Sequence, residues 1–171
     1  VAYAATTYTG QAKTPAVTVT APDGKTLARG TDYKLDYTNN VNAGTAKVTV
    51  TGQGEYSGTV EKTFTISKVN ADNVTVKLSF QKTNYNGGNT KKPVVTVTDS
   101  SGRTLEADKD YTVAYPSTLG AGRYKITVTL GGTKGNYTGT KEAWYTIVPA
   151  ATSTVKVQLS TAADGYNDVV V

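Results

Sequence analysis

The stretch Tyr8-Thr-Gly10, Pro15, Val17-Thr-Val19, Gly24, Leu27 and Asp32-Tyr33 returns later in the chain as Tyr85-Asn-Gly87, Pro93, Val95-Thr-Val97, Gly102, Leu105 and Asp110-Tyr111. The correspondence continues from Tyr37, Gly44, Val48-Thr-Val50, Tyr56, Gly58 and Ile66 to Tyr115, Gly122, Ile126-Thr-Val128, Tyr137, Gly139 and Ile147. From Pro15 to Val50 the copies stand 78 residues apart, and at Tyr56 the separation has become 81. The extra residues fall in Gly131-Gly-Thr-Lys134, a loop where insertion costs little chain entropy. One small unit has therefore been used at least twice, and arrays of this kind build length or display surface more often than they build a catalytic cleft.

Within each copy the apolar residues alternate with polar ones. Val17-Thr-Val-Thr, Tyr33-Lys-Leu-Asp-Tyr, Ala46-Lys-Val-Thr-Val-Thr and Thr63-Phe-Thr-Ile are matched by Val95-Thr-Val-Thr, Tyr111-Thr-Val-Ala-Tyr, Tyr124-Lys-Ile-Thr-Val-Thr and Trp144-Tyr-Thr-Ile. A period of two predicts strands with one face in a core and one in water. Turn signals such as Pro22-Asp-Gly, Asn42-Ala-Gly, Ser100-Ser-Gly and Gly131-Gly punctuate them, and no helical apolar period occurs. The expected fold class is all-β, as tandem β-sandwich domains.

The ends of the chain are out of phase with the repeat. Val74-Thr-Val-Lys-Leu-Ser leads the second copy and reaches Tyr85 after 11 residues; Val155-Lys-Val-Gln-Leu-Ser reaches Tyr166 after the same 11. Tyr3 precedes Tyr8 as Phe80 precedes Tyr85, so the strand equivalent to 74–79 is expected to be missing ahead of Val1. The expected domains are residues 1–68 (first repeat, first strand missing), 69–149 (second repeat) and 150–171 (first strand of a truncated third repeat). A bare sheet edge invites another chain, so head-to-tail self-association by strand addition is one expectation. Its plainer rival is a fragment cut without regard to repeat boundaries, which the start at Val1 without Met also suggests.

The chain has 171 residues, 37% of them hydrophobic, with 12 Tyr, 2 Phe and 1 Trp, and neither Cys nor His. Without these two residue types there is no disulfide, no thiolate metal site and no histidine-based nucleophile triad. The net charge is +5, with scattered Lys and Arg, which argues against nucleic acid as a partner. No stretch is long and apolar enough for a membrane span. No cofactor, metal or catalytic residue is expected.

The motif Tyr8-Thr-Gly10, Lys13-Thr-Pro15, Val17-Thr-Val19, Gly24-Lys-Thr-Leu27, Asp32-Tyr33, Tyr37, Asn40-Val-Asn-Ala-Gly44, Val48-Thr-Val50, Gly52-Gln-Gly-Glu-Tyr56-Ser-Gly58 and Phe64-Thr-Ile66 resembles the bacterial immunoglobulin-like tandem repeats of Gram-positive cell-surface proteins. The resemblance covers both copies. It implies immunoglobulin-like domains in a secreted, extracellular protein of the bacterial cell surface or cell wall. There such repeats are stalks or spacers of adhesins and enzymes, with neighbouring repeats as their main partners. It brings no ligand residues with it.

Single residues refine the expectation. Tyr33 and Tyr37, like Tyr111 and Tyr115, lie four apart and so face one side, filling the core with their hydroxyls reaching backbone at the rim. Tyr56-Ser-Gly58 and Tyr137-Thr-Gly139 are expected to be tight turns plugged by an aromatic ring. Asp99, Asp108 and Asp110 stand in turns, where capping of backbone N–H groups is their ordinary use. The linker Ser67-Lys-Val-Asn-Ala-Asp72 has no Gly, so restricted hinge motion is expected. Trp144 falls on the outward register of its strand, opposite in phase to Tyr145 and Ile147. That makes it the candidate ligand-binding residue, with a glycan or cell-wall polymer as the ligand. Contact with a neighbouring unit, or cover for an open sheet edge, is the plainer explanation of an outward Trp. The leading expectation is a non-enzymatic stalk, spacer or adhesive repeat; the alternatives are a carbohydrate-binding module and a strand-exchanging fibre subunit.

Overall fold

A computed structural model describes residues 5–87, 92–117 and 120–150 in full, and beyond these the backbone of 158–161 and 167–170. In the first unit, β1 (Thr6–Thr7), β2 (Tyr33–Thr38), β3 (Gly44–Gly52) and β4 (Thr59–Ser67) form one sheet in the order β1-β4-β3-β2. Two hairpins give the antiparallel pairs β2–β3 and β3–β4, while β1 runs parallel to β4 through Thr6↔Ile66.

The second unit contains β5 (Val69–Asn70), β6 (Val74–Leu78), β7 (Lys82–Asn84), β8 (Val95–Asp99), β9 (Tyr111–Ala114), β10 (Gly122–Leu130) and β11 (Tyr137–Val148). Its main sheet repeats the first: β9–β10–β11 pair antiparallel, and β7 lies parallel to β11 through Thr83↔Ile147. Two features are added. β5 joins β11 in parallel at Tyr137↔Val69, and β6 pairs with β8 as a separate antiparallel ribbon. Between β5 and β6 stands a 3-10 turn, Ala71–Asn73, whose first N–H groups are met by Asn70: its side chain accepts from the Asp72 N–H at 3.0 Å. The described residues contain no α-helix, and the all-β expectation holds.

Alternation builds the core. On β10, Ile126, Val128 and Leu130 point inward; on β11, Tyr145 and Ile147; on β8, Val95 and Val97, the last with no exposed surface. In the first unit Ala46, Val48, Phe64 and Ile66 do the same, and Tyr8, Ala46, Phe64 and Ile66 join the buried residues of the second unit in one contiguous apolar cluster. The four tyrosines behave as their spacing predicts. Tyr33 donates to the Val17 carbonyl at 3.2 Å and Tyr37 to Pro15 at 2.5 Å; Tyr111 donates to Val95 at 3.2 Å and Tyr115 to Pro93 at 2.7 Å. Each pair thus pins the segment that crosses above it. Gly58 and Gly139 both adopt left-handed backbone, at φ of 96° and 97°, a conformation that a side chain would strain.

Two expectations are corrected. Val17-Thr-Val-Thr is not a strand: residues 17–19 have no ladder, and Thr20 makes only an isolated bridge to Thr26. The same residues in the second unit form β8 because β6 pairs with them, and among the described residues no strand pairs with Val17–Thr20. Tyr137-Thr-Gly139 is not a turn but the start of β11, since β5 gives it a partner; Tyr56 lacks that partner and closes a turn onto Gln53 instead. Most of the linker belongs to the second unit's fold, with Val69 and Ala71 buried. Of the third-repeat segment, Gln158–Thr161 (β12) pairs with Asn167–Val170 (β13) as a two-stranded sheet. Val155–Val157, like Tyr3 and Tyr166, lie outside the described residues.

Candidate functional site

The most elaborate side-chain arrangement lies where the two units meet. Tyr8 follows β1, and its N–H extends the parallel pairing by donating to the Ser67 carbonyl at 2.9 Å. This carries its ring over the second unit, where it meets Tyr137 edge-on with centroids 5.8 Å apart. Arg103 stands in the turn after β8. Asp99 shapes that turn, its Oδ1 accepting from the Ser101 N–H, the Ser101 hydroxyl and the Arg103 N–H. The Arg103 guanidinium then donates to the Tyr8 hydroxyl at 2.8 Å and to the Tyr137 hydroxyl, and lies over both rings at 4.9 and 5.5 Å. Tyr137 donates in turn to Asp99 Oδ2 at 3.0 Å. One cation thus satisfies two phenols and stacks on both, the fork geometry that favours arginine over lysine.

The ionisation of these groups follows their surroundings. Burial pushes the Tyr137 phenol up to about 12, against the pull of Arg103 and with help from Asp99. Burial works against the charged forms of Asp99 and Arg103 as well. Hydrogen bonds from Ser101, Arg103 N–H and Tyr137 outweigh it for Asp99, which ends lowered, and bonds to Tyr8 and Tyr137 outweigh it for Arg103, which ends raised. All three therefore hold their ordinary charge states at neutral pH.

Asn136 is the second clamp. It is almost wholly buried, accepts from the Ala43 N–H at 2.9 Å through Oδ1, donates to Asn42 Oδ1 at 3.1 Å, and its carbonyl accepts from the Val69 N–H. With its side chain bonded twice to the first unit's β2–β3 loop and its backbone carbonyl to the linker, Asn136 fixes that loop against both the linker and β11. The insertion that precedes it is equally constrained: a Cβ on Gly132 would sit 2.5 Å from the Lys109 carbonyl oxygen. Only glycine fits that approach.

Trp144 lies where its register predicts, outward on β11 opposite Lys125, and is 43% exposed. Arg123 stacks on its ring at 4.6 Å. Beside it an open groove of about 530 Å³ runs between β6 and β11, lined by Trp144, Glu142, Gln81 and Lys77 over a floor that includes Val76 and Leu78. Glu142 is already paired with Lys125 at 2.7 Å. The groove is shallow and polar at its rim, suited to an extended or ring-shaped polar molecule.

The carboxylates cap turns as expected. Asp32 accepts from the Ala28 N–H and Asp110 from the Glu106 N–H, the same bond in each unit, and Asp99 caps its own turn. Asp108 takes left-handed backbone at φ 66°. Asp99, Asp108 and Asp110 do not share a ligand cluster, and no group of metal-binding side chains occurs among the described residues.

Arg103 and Asn136 were not singled out by the sequence reading. The available signal was departure from the repeat: at the positions of Asp99, Arg103 and Asn136 the first unit has Ala21, Lys25 and Glu55. No protein-family model, curated protein or solved structure matches the chain.

Proposed function

We propose that this segment is a non-enzymatic, stiff spacer: two immunoglobulin-like sandwich repeats from the stalk or adhesive array of a bacterial cell-surface protein, extracellular and wall-associated. The repeat motif and its resemblance to such arrays support the setting. The observation that carries the mechanical part is the junction, in which Arg103 bridges Tyr8 to Tyr137 while Asn136 holds Asn42 and Ala43. A passive tether would need none of these contacts. A spacer that must hold a distal domain at a set angle needs a polar, directional lock between units, because apolar contact alone slides.

The test compares the chain with Arg103→Ala by small-angle scattering and residual dipolar couplings from each unit. The unmodified chain should fit a single inter-unit orientation, and the variant a broader distribution. Equal breadth in both would sink the reading.

A second reading, a carbohydrate-binding module, is favoured by one observation: Trp144 borders the polar groove beside β6. Trp144→Ala should then abolish retention on cell-wall polysaccharide. Retention that survives the substitution, or that is absent from the start, leaves the spacer reading alone.

A further inference from the structure

The outward face of the second unit's main sheet departs from that of the first in one place. Pairing sets Lys82 beside Thr146 and Thr146 beside Arg123, and two residues back along β11 it sets Trp144 beside Lys125. Alternate residues of a strand share a face, so Lys82, Arg123, Lys125 and Trp144 stand together in adjacent rows. The matching positions of the first unit hold Ala5, Thr45, Lys47 and Thr63. Lys125 and Lys47 are each paired with a glutamate, Glu142 and Glu61, at 2.7 and 2.8 Å. What the second unit adds is therefore one indole and two cations.

These additions are exposed and their charge is not compensated. Lys82, Arg123 and Trp144 all face solvent, and neither cation has a carboxylate partner among the described residues. Lys77, from β6, brings a third such cation to the groove that Trp144 borders. Arg123 reaches the indole from β10, while the groove opens along the other edge of β11. A guanidinium held over a ring loses orientational freedom, yet its N–H groups stay available to a carboxylate or a phosphate. A docked neighbour does not cover this face: Thr45 and Thr63 stay exposed although the second unit is packed against the first. A face that served solubility alone would have no use for the indole, and one that served apolar contact alone would have no use for the cations around it.

We propose that this face binds an anionic glycan, with a sugar ring against Trp144 in the groove and its carboxylate or phosphate held by Arg123 and Lys82. The proposal rests on the glycan-binding reading of Trp144 and adds the charge of the ligand. An indole offers an apolar surface to the C–H side of a sugar ring. An acidic group beside that ring meets two cations, and the nearby Glu142 is already neutralised by Lys125. Lys77 carries the same charge along the groove, so successive acidic sugars of a polymer each meet a cation. Single-stranded nucleic acid has matching charge but is held by a series of stacking rings, and this face has one.

Calorimetric titration with polygalacturonate, with its methyl ester and with a poly(hexosamine 1-phosphate) tests this. The unmodified chain should bind one or both charged polymers at least about tenfold more tightly than the ester, a preference that fades in high salt. Binding of the first alone assigns a carboxylate ligand, and of the second alone a phosphate. Arg123→Ala combined with Lys82→Ala should remove the preference and leave weak binding of the ester, whereas Trp144→Ala should abolish both. Lys25→Ala combined with Lys34→Ala takes the same charge from exposed positions of the first unit and should change neither. All five side chains are exposed, so folding is not at stake. Equal affinity for acid and ester would overturn the proposal and keep the glycan reading; binding of none of the three polymers would overturn both. Equal losses from the two double variants, or tighter binding of oligothymidylate than of either charged polymer, would overturn the proposal as well. None of these substitutions touches the junction, so the spacer reading is tested separately.

Discussion

The two units share a sequence pattern but differ in what stands beside their first pinned segment. Val95–Asp99 is a strand and Val17–Thr20 is not, although both read Val-Thr-Val-Thr and both are fastened by a tyrosine and a leucine N–H. The leading segment of the second unit supplies β5, the 3-10 turn and β6, and with them a ladder for β8, a partner for Tyr137 and a cover for Val95 and Val97. Strand formation at this position is thus a property of the neighbour and of burial more than of the residues themselves. The pinning tyrosines hold the segment in place in both units; pairing with β6 makes it a strand in the second.

The comparison is broken most directly by removing the same side chain from both units. Val97→Ala takes two methyl groups out of a site with no exposed surface and should destabilise the second unit by about 2 kcal/mol, the transfer loss plus a residual cavity. Val19→Ala acts at a half-buried site that solvent already reaches and should cost less than about 1 kcal/mol. Urea melts of dilute protein check this, with fluorescence of Trp144, the single tryptophan, reporting the second unit and circular dichroism the whole. Equal losses would mean that the edge of the first unit is covered after all.

Much of this was legible in the residues. The 78-residue register placed Tyr33, Tyr37, Tyr111 and Tyr115 on equivalent bonds, and period-two alternation put Trp144 outward and Tyr145 inward. Turn chemistry foretold the capping by Asp99 and Asp110. What was hidden depends on tertiary neighbours. The parallel pairings of β1, β5 and β7 involve segments of two or three residues, too short for alternation to register. The junction was hidden for a different reason: Arg103 and Asn136 belong to no repeat pattern, and a lone arginine in a turn has no signature until Tyr8 and Tyr137 are brought beneath it. The residues that break a repeat are where its copies acquire individual contacts.

A smaller effect sharpens the contrast at the insertion. Glu106 accepts from Lys109 at 2.6 Å and from Lys134 at 2.9 Å, and these two hydrogen bonds, with the charges behind them, hold its carboxyl at about 2. The corresponding residue of the first unit is Ala28, and Lys134 lies in the inserted loop, so no such cluster exists there. Because the folded carboxyl titrates below its unfolded value, the ion pairs contribute at and above the ordinary glutamate range and are lost as pH falls toward about 2. The group is exposed and screened, so the change in stability should be slight and should fade in high salt. Carboxyl chemical shifts followed by NMR should place the Glu106 midpoint near 2, and Lys134→Ala should move it upward. A midpoint in the ordinary glutamate range in the unmodified chain would show that the inserted loop does not hold Lys134 against Glu106. The insertion would then owe its place to Asn136 and the junction alone, where Gly132 lies against the Lys109 carbonyl and leaves no room for any other residue.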